Sequence, residues 1–446
     1  MNQAPGTPMA CRTCGVPLNR YTDLDSGRVR YLHPAGATLG PHHPVDPAPL
    51  DEVDARHVCD FCSDDRIAYT VQTTPIITVA ETDGGRLVEQ FGTDWSVCFP
   101  CAALLHAGDL DRLHRRLRPA GWAPDQVAAA LTRVFQQAVL DSLLPGRTLA
   151  TIGRWPVSPL PAATLPKVRD RLTDVYRGPL GLPLGLDDPD VRSTVADSVA
   201  TARLFWIDAA FTELAAHAAR SLPATVVDPA DLPAPHGLLA WAEPVGPHAD
   251  LVAASWTSGP DGLRVVGYRS IGTGLPARDL QQLRAEIGWV GPRMHTTLAS
   301  DTTVDATGPG AVLVVTWLLI AQRVAETVPA DIDTTIRKAY QRIGRPAPQV
   351  QLVRIRGAAH NPVDRPGEAG GGTAGQDRIP RAYRWWVRAH WRQQPYGPGR
   401  TLRRPVLVLP QVRGPHDKPI KASTVVRILT DAPPRPDAAS PEHSGT

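Results

Sequence analysis

HVCDFCSDD at His57–Asp65 and WSVCFPC at Trp95–Cys101 each carry two cysteines separated by two residues. That spacing lets both thiolates of a knuckle turn toward one ion, and two knuckles complete the tetrahedron that Zn2+ accepts. Cys59, Cys62, Cys98 and Cys101 are therefore the expected ligands of a structural zinc site, because a catalytic zinc keeps one position open. Between the pairs, the β-rich stretch Ile67–Val79, a turn at Asp83-Gly84-Gly85 and the run Arg86–Phe91 read as a hairpin that returns the chain to the first knuckle. After Cys101, ALLHAGDLDRLHRRL places Leu104, Leu105, Leu110, Leu113 and Leu117 at helical spacing, which predicts a helix over the site.

A third pair, Cys11 and Cys14 in CRTCG, has no cysteines left to complete it. His33, His42, His43 and His57 are the available supplements. Cys11, Cys14, His33 and one of His42 or His43, with His43 preferred, form the expected second zinc set, so that two closed sites receive their eight ligands. A crossed pairing, in which Cys11 and Cys14 join Cys59 and Cys62, remains open at this point. The segment Met1–Ala10 lacks a basic start followed by an apolar stretch, so no secretory signal is expected and the six cysteines should stay reduced in a cytoplasmic protein. The longest apolar run, Ala311–Ala321, is about half of the ~20 residues that a membrane-spanning helix needs, and reads as a core helix.

A chain of 446 residues exceeds one ordinary hydrophobic core, and 42% hydrophobic residues suffice for several. The pattern predicts an α+β protein: a zinc-ribbon-like module at 1–118, a mainly helical region at 119–230, an α+β domain containing an antiparallel sheet at 231–430, and a disordered tail at 431–446. Helical periodicity covers Ala123–Leu144 and about Asp188–Leu222. Extended runs follow at Gly237–Ala242, Leu251–Thr257 and Leu263–Tyr268, then helices at about Gly310–Thr327 and Asp331–Ile343, and a strand at Gln349–Arg356. Gly367–Gly375 (GEAGGGTAG) reads as a mobile loop.

In YRWWVRAHWR (Tyr383–Arg392), strict alternation assigns Tyr383, Trp385, Val387, Ala389 and Trp391 to one strand face and Arg384, Trp386, Arg388, His390 and Arg392 to the other. From Arg378 to Arg427 there are ten arginines and two lysines against one acid, a net charge of +11 in a chain whose formal total is +3. Guanidinium forks bind phosphate and an exposed indole stacks on unpaired bases, so this face, continued through Arg403 and Arg404, is a candidate nucleic-acid surface. The competing reading is an edge strand protected from aggregation by its charges.

PHGLLAWAEP (Pro235–Pro244), TWLLIAQ (Thr316–Gln322), Ile336–Gly357 and Trp385–Lys421 together resemble a family of proteins from actinobacterial mobile elements and phages, itself similar to a type V anti-CRISPR family. The CxxC knuckles resemble a separate small actinobacterial zinc module. The resemblance implies a non-enzymatic binding protein that acts on a nucleic-acid-associated target, a nucleic acid or a ribonucleoprotein. An adaptor or anti-defence factor for an acidic protein partner is the alternative. A metal-dependent nuclease using Asp301, Asp305 or Asp364 with His295 or His360 is the third, although no ligand spacing unites these residues and no phosphate-binding glycine loop, G-x-S-x-G or H-E-x-x-H is present.

Overall fold

The computed structural model describes residues 8–33, 43–55, 57–82, 85–116, 126–259, 262–299, 301–356, 383–413 and 418–420. Asp83 and Gly84, Gly367–Gly375, the tail 431–446, His42, Leu117, His360 and Asp364 lie outside them. The fold is mixed α+β, and the chain separates into two compact units, Met1–Ala359 and His360–Thr446. Among the described residues no helix is long and apolar enough to cross a membrane.

Short strands β1 (Met9–Cys11), β2 (Asn19–Asp23), β3 (Val29–Leu32) and β4 (Pro47–Pro49) open the first unit, with β1 paired to β4 and β2 to β3, both antiparallel. The β2–β3 turn is set by the buried Asp23, whose carboxylate accepts from the N–H groups of Asp25 and Ser26 at 3.0 and 2.8 Å. The stretch expected to form one arm of a hairpin is instead two strands, β5 (Ile67–Gln72) and β6 (Ile77–Thr82), in different sheets. Pro75 has no N–H to give a ladder, and the chain leaves its first sheet there. β6 and β7 (Gly85–Gln90) extend the first hairpin into a sheet of order β3-β2-β7-β6, whereas β5 pairs with β8 (Asp94–Cys98) and β9 (Thr148–Leu149). The helix expected after Cys101 is split into α1 (Phe99–Ala107) and α2 (Leu110–Arg116), because Gly108 adopts φ 66° and closes α1 by donating back toward the Leu104 and Leu105 carbonyls. α3 (Gln126–Ser142) follows.

Beyond α4 (Leu165–Arg177), the long helix expected over Asp188–Leu222 is three elements: α5 (Pro189–Thr201), strand β10 (Arg203–Ile207) and α6 (Ala209–Ala219). After the exposed Arg203, LFWI is an unbroken apolar run of the kind that fills a strand covered on both faces, and Asp208 restarts the helix by accepting from the Phe211 N–H at 2.7 Å. This strand lies inside the region read as helical, and it is an interior strand of a seven-stranded sheet that crosses the expected boundary at 230/231. After β11 (Thr225–Val226) come β12 (His236–Val245), β13 (Leu251–Gly259), β14 (Gly262–Ser270), α7 (Ala277–Glu286), β15 (Val290–Leu298), β16 (Thr303–Val304), α8 (Ala311–Ile320), β17 (Ala325–Pro329), α9 (Thr334–Arg342) and β18 (Val350–Ile355). The helix expected at Gly310–Thr327 thus stops at Ile320, and its last residues form β17.

The sheet order is β15-β14-β13-β12-β10-β18-β17. β12 to β15 form an antiparallel meander, and β10 pairs in parallel with β12 on one side and β18 on the other. Leu204 shares a buried cluster with Val195 and Val199 of α5, whereas Phe205 stacks near Trp256, which meets Trp317 of α8 edge-on. Successive residues of a strand point to opposite faces, so α5 and α8 cover the two sides of the sheet. Gly237 lies opposite Trp256 in register, and a Cβ there would come within 2.1 Å of the indole. Only glycine leaves the ring room to lie across the neighbouring strand.

In the second unit β19 (Trp385–Val387) pairs with β22 (Gln411–Arg413), and β20 (His390–Tyr396) pairs with β21 (Leu402–Val408). The single strand expected over Tyr383–Arg392 is therefore interrupted at Arg388–Ala389, opposite the break at Leu409–Pro410, where the proline cannot donate to a ladder.

Candidate metal centres and a basic hairpin

The first centre is assembled by the β5–β8 pairing. Cys59 and Cys62 sit in a turn just before β5, closed by Ser63 N–H to Cys59 O at 2.8 Å, with Ser63 at φ 60°. Asp60 ties this turn to β8, accepting from the Ser96 N–H at 2.6 Å and donating its own N–H to Ser96 O at 2.9 Å. Cys98 ends β8 and caps α1, and Cys101 lies in the first turn of α1, where unpaired N–H groups favour negative charge. The four ligand atoms lie within 4.8 Å of one another, and Cys62 Sγ is 3.5 Å from Cys98 Sγ. A disulfide would require about 2.0 Å. The edge of a tetrahedron built on ~2.3 Å metal–sulfur bonds is about 3.8 Å, which the observed separation approaches.

Electrostatics fit a cation here. Burial and the neighbouring thiols push Cys59 up, donation to Cys101 pushes Cys98 up, and hydrogen bonds from Cys101, Cys59 and Cys98 pull Cys62 down. Opposed shifts of this kind are what thiols crowded together without a counter-charge produce, and a bound cation would favour all of them as thiolates. Arg116 from α2 reaches over the cluster, with Nε donating to Cys101 Sγ at 3.2 Å and Nη2 lying 3.8 Å from both Cys62 and Cys98. Burial opposes the charge of Arg116, but the sulfurs of Cys101, Cys98 and Cys62 outweigh it and hold the guanidinium above its ordinary value. Sequence reading missed this residue: in LDRLHRRL nothing separates Arg116 from Arg112 or Arg115 until the turn at Gly108 fixes which side of α2 faces the sulfurs.

The second centre brings Cys11, Cys14, His33 and His43 within 4.8 Å. Cys11 N–H bonds Val16 O and Gly15 N–H bonds Cys11 O, forming a tight knuckle with Gly15 at φ 70°. β3 delivers His33, and the segment leading into β4 delivers His43. Cys11 Sγ stands 3.4 Å from His43 Nε2 and Cys14 Sγ 3.4 Å from His33 Nε2, close to the ~3.6 Å edge of a tetrahedron with one nitrogen and one sulfur. Burial pushes Cys11 up, but the N–H groups of Asp46 and Cys14 and the two imidazoles outweigh it and bring it down to about 5; burial and the Cys11 sulfur push Cys14 up. The crossed pairing is not what the fold forms, and His57 is exposed and belongs to neither set.

In the second unit, exposure alternates as expected from Trp385 onward: Trp386, Arg388, His390 and Arg392 are exposed, Trp386 by 64%, while Trp385, Val387, Ala389 and Trp391 are half-buried; at the start the pattern reverses, with Tyr383 53% exposed and Arg384 half-buried. Arg384 is tied down, its Nε donating to Lys418 O at 2.9 Å and its N–H to Pro419 O. Cross-strand register places His390, Arg392, Gln394 and Arg404 on one face of the β20–β21 hairpin, with the Arg404 guanidinium 4.7 Å from the Tyr396 ring centre. Arg403 pairs with Pro395 on the opposite face and donates to the carbonyls of Arg400 and Leu402, so it does not join the others.

Among the described residues, the nuclease candidates Asp301, Asp305 and His295 are not brought together. Asp305 accepts from the Thr307 N–H and hydroxyl, His295 Nδ1 lies 2.9 Å from Leu184 O, and Asp301 sits in an exposed turn. Among the described residues, groups of three or more His, Cys, Asp or Glu side chains close enough for a metal occur only at the two centres above. No family model, curated protein or solved structure matches the chain.

Proposed function

We propose that this chain is a non-enzymatic binding protein in which two structural zinc ions hold the amino-terminal region, and the basic hairpin of the second unit engages nucleic acid or a ribonucleoprotein. Zinc is the metal best suited to the donors: four thiolates in one set and two thiolates with two imidazoles in the other, both closed tetrahedra. Closed sets leave no position for an activated water, so the metal supports shape rather than reaction. The observation that carries the binding reading is the exposed row Trp386, Arg388, His390 and Arg392 in a segment of net charge +11.

The test is a titration of single-stranded DNA and RNA at several salt concentrations. Arg388→Glu with Arg392→Glu should weaken binding and flatten the salt dependence by about 0.7 in log–log slope per lost phosphate contact. Trp386→Ala should weaken binding by about 1–3 kcal/mol without changing that slope, as expected for lost stacking. Arg384 is left intact because it supports the Lys418 segment. Unchanged affinity in a folded double-Glu protein rejects the nucleic-acid reading and favours an acidic protein partner, which a nuclease-resistant co-purification would identify.

A further inference from the structure

A cavity of about 590 Å³ opens beside the four-cysteine centre within the first unit, a volume in the range that receives drug-sized ligands. Its inner wall is apolar, made by Val71 of β5, Ala102 and Leu105 of α1, Leu143 beyond α3, Val175 of α4 and Leu180. One end is closed by a self-satisfied network, in which Glu286 accepts from Tyr69 and pairs with Arg147, while the Arg147 guanidinium lies 4.5 Å from the Tyr69 ring centre. These charges are spent on each other.

Arg171 is different. Its stem lies against the turn after α7, where Gly288 has no side chain and a Cβ would come within 2.6 Å of Arg171 Cγ. Its head approaches Asp174 at 3.5 Å, and Asp174, which also lines the cavity, is two-thirds exposed to water, so the charge of this pair is partly screened. An Arg carries five N–H donors in a planar fork that matches a carboxylate, and Arg171, one of the residues lining the cavity, has among the described residues only the exposed Asp174 as an ion-pair partner. His106 of α1 supplies a further donor at the rim.

We propose that this cavity binds a small amphipathic anion, with an apolar body against Val71, Leu105 and Leu180 and one carboxylate or sulfonate on Arg171. The same α1 that lines the cavity carries Cys101 in its first turn, so a bound ligand also braces the four-cysteine centre, and by linkage it slows loss of metal from that centre.

The experiment uses the metal-loaded full chain with decanoate and 1-decanol, below their aggregation concentrations, by titration calorimetry. Decanoate should bind saturably at one site and more tightly than decanol. Arg171→Gln should weaken decanoate about tenfold and leave decanol unchanged, since it removes one charged hydrogen-bonding partner. Leu144→Trp, at an exposed rim position, should weaken both by narrowing the mouth. Decanoate should slow chelator extraction of the first metal equivalent in the wild type and not in Leu144→Trp. The proposal is overturned if neither ligand binds saturably, if Leu144→Trp binds both as the wild type does, or if Arg171→Gln affects acid and alcohol alike.

Discussion

Replacing Trp95 should show whether the four-cysteine centre is part of the main core or an appended module. Trp95 is three residues before Cys98 on β8 and 7% exposed, and its ring lies 5.3–6.4 Å from the rings of Phe61, Phe91 and Phe135. Phe61 stands between the first two cysteines and Phe135 comes from α3, so one indole joins the knuckle, the strand and a helix beyond residue 118. Trp95→Ala removes a large core side chain, costing about 3–5 kcal/mol. It also deprives Thr73, 2% exposed, of the indole N–H at 2.9 Å, adding about 1 kcal/mol. The sum is a large share of the ~5–15 kcal/mol that stabilises a typical protein. Trp95→Phe keeps most of the ring contact and should cost only about 1–2 kcal/mol. Urea unfolding followed by circular dichroism gives the stability. A chromogenic chelator followed in parallel should show faster release of one metal equivalent in Trp95→Ala and an unchanged second equivalent. A loss below about 1 kcal/mol for Trp95→Ala, or unaltered metal release, would refute the claim that centre and core form one unit.

Cys98→Ser and Cys11→Ser should each reduce bound zinc from two equivalents to one by mass-spectrometric metal analysis, since the two ligand sets share no residue; zinc-free wild-type protein, purified without chelator, would remove the zinc assignment. Lowering the pH should release both metals, because the ligating thiolates must take up protons, with the released metal read by chelator absorbance. Arg116→Gln should accelerate metal loss from the four-cysteine centre by about tenfold or more, in line with other partners of metal ligands, and leave the Cys11 centre unaffected. Gly237→Ala should destabilise the sheet by about 1–3 kcal/mol in thermal melts, because the added methyl collides with Trp256.

The sequence made the metal centres legible because a CxxC pair is a local object: the turn that aims both sulfurs is contained in five residues, and only the partnering of pairs is long-range. That partnering followed from β5 meeting β8, which the composition of Ile67–Val79 did not disclose, because its apolar residues suit a hairpin arm and two separate strands equally well. Strands β12, β13 and β14 were legible for the same local reason, as short extended runs, whereas β15, which follows α7, was not read from the sequence. β10 was hidden. LFWIDAAF places apolar residues where a helix would also want them, and only the β12 and β18 edges on either side, one of them far along the chain, make the extended form the better one. Arg403 was misplaced by adjacency: neighbours in a strand face opposite ways, so Arg403 and Arg404 cannot serve one surface.

The near-neutral formal charge conceals a segregation that bears on how the protein would meet a polyanion. The whole chain carries +3 and the segment from Arg378 to Arg427 carries +11, so the remainder carries −8. Over a Debye length of about 8 Å in physiological salt, a phosphate chain responds to the nearest few charges rather than to the total. On the proposed reading, such a chain would be drawn to the basic segment and would gain little from the net-negative remainder, which would favour contact at Arg388, His390 and Arg392. The exposed Trp386, on the neighbouring strand β19, would add a stacking attraction that salt does not screen. Binding through this unit should therefore keep a residual affinity at high salt that depends on Trp386 alone, while the salt-sensitive part depends on the arginines.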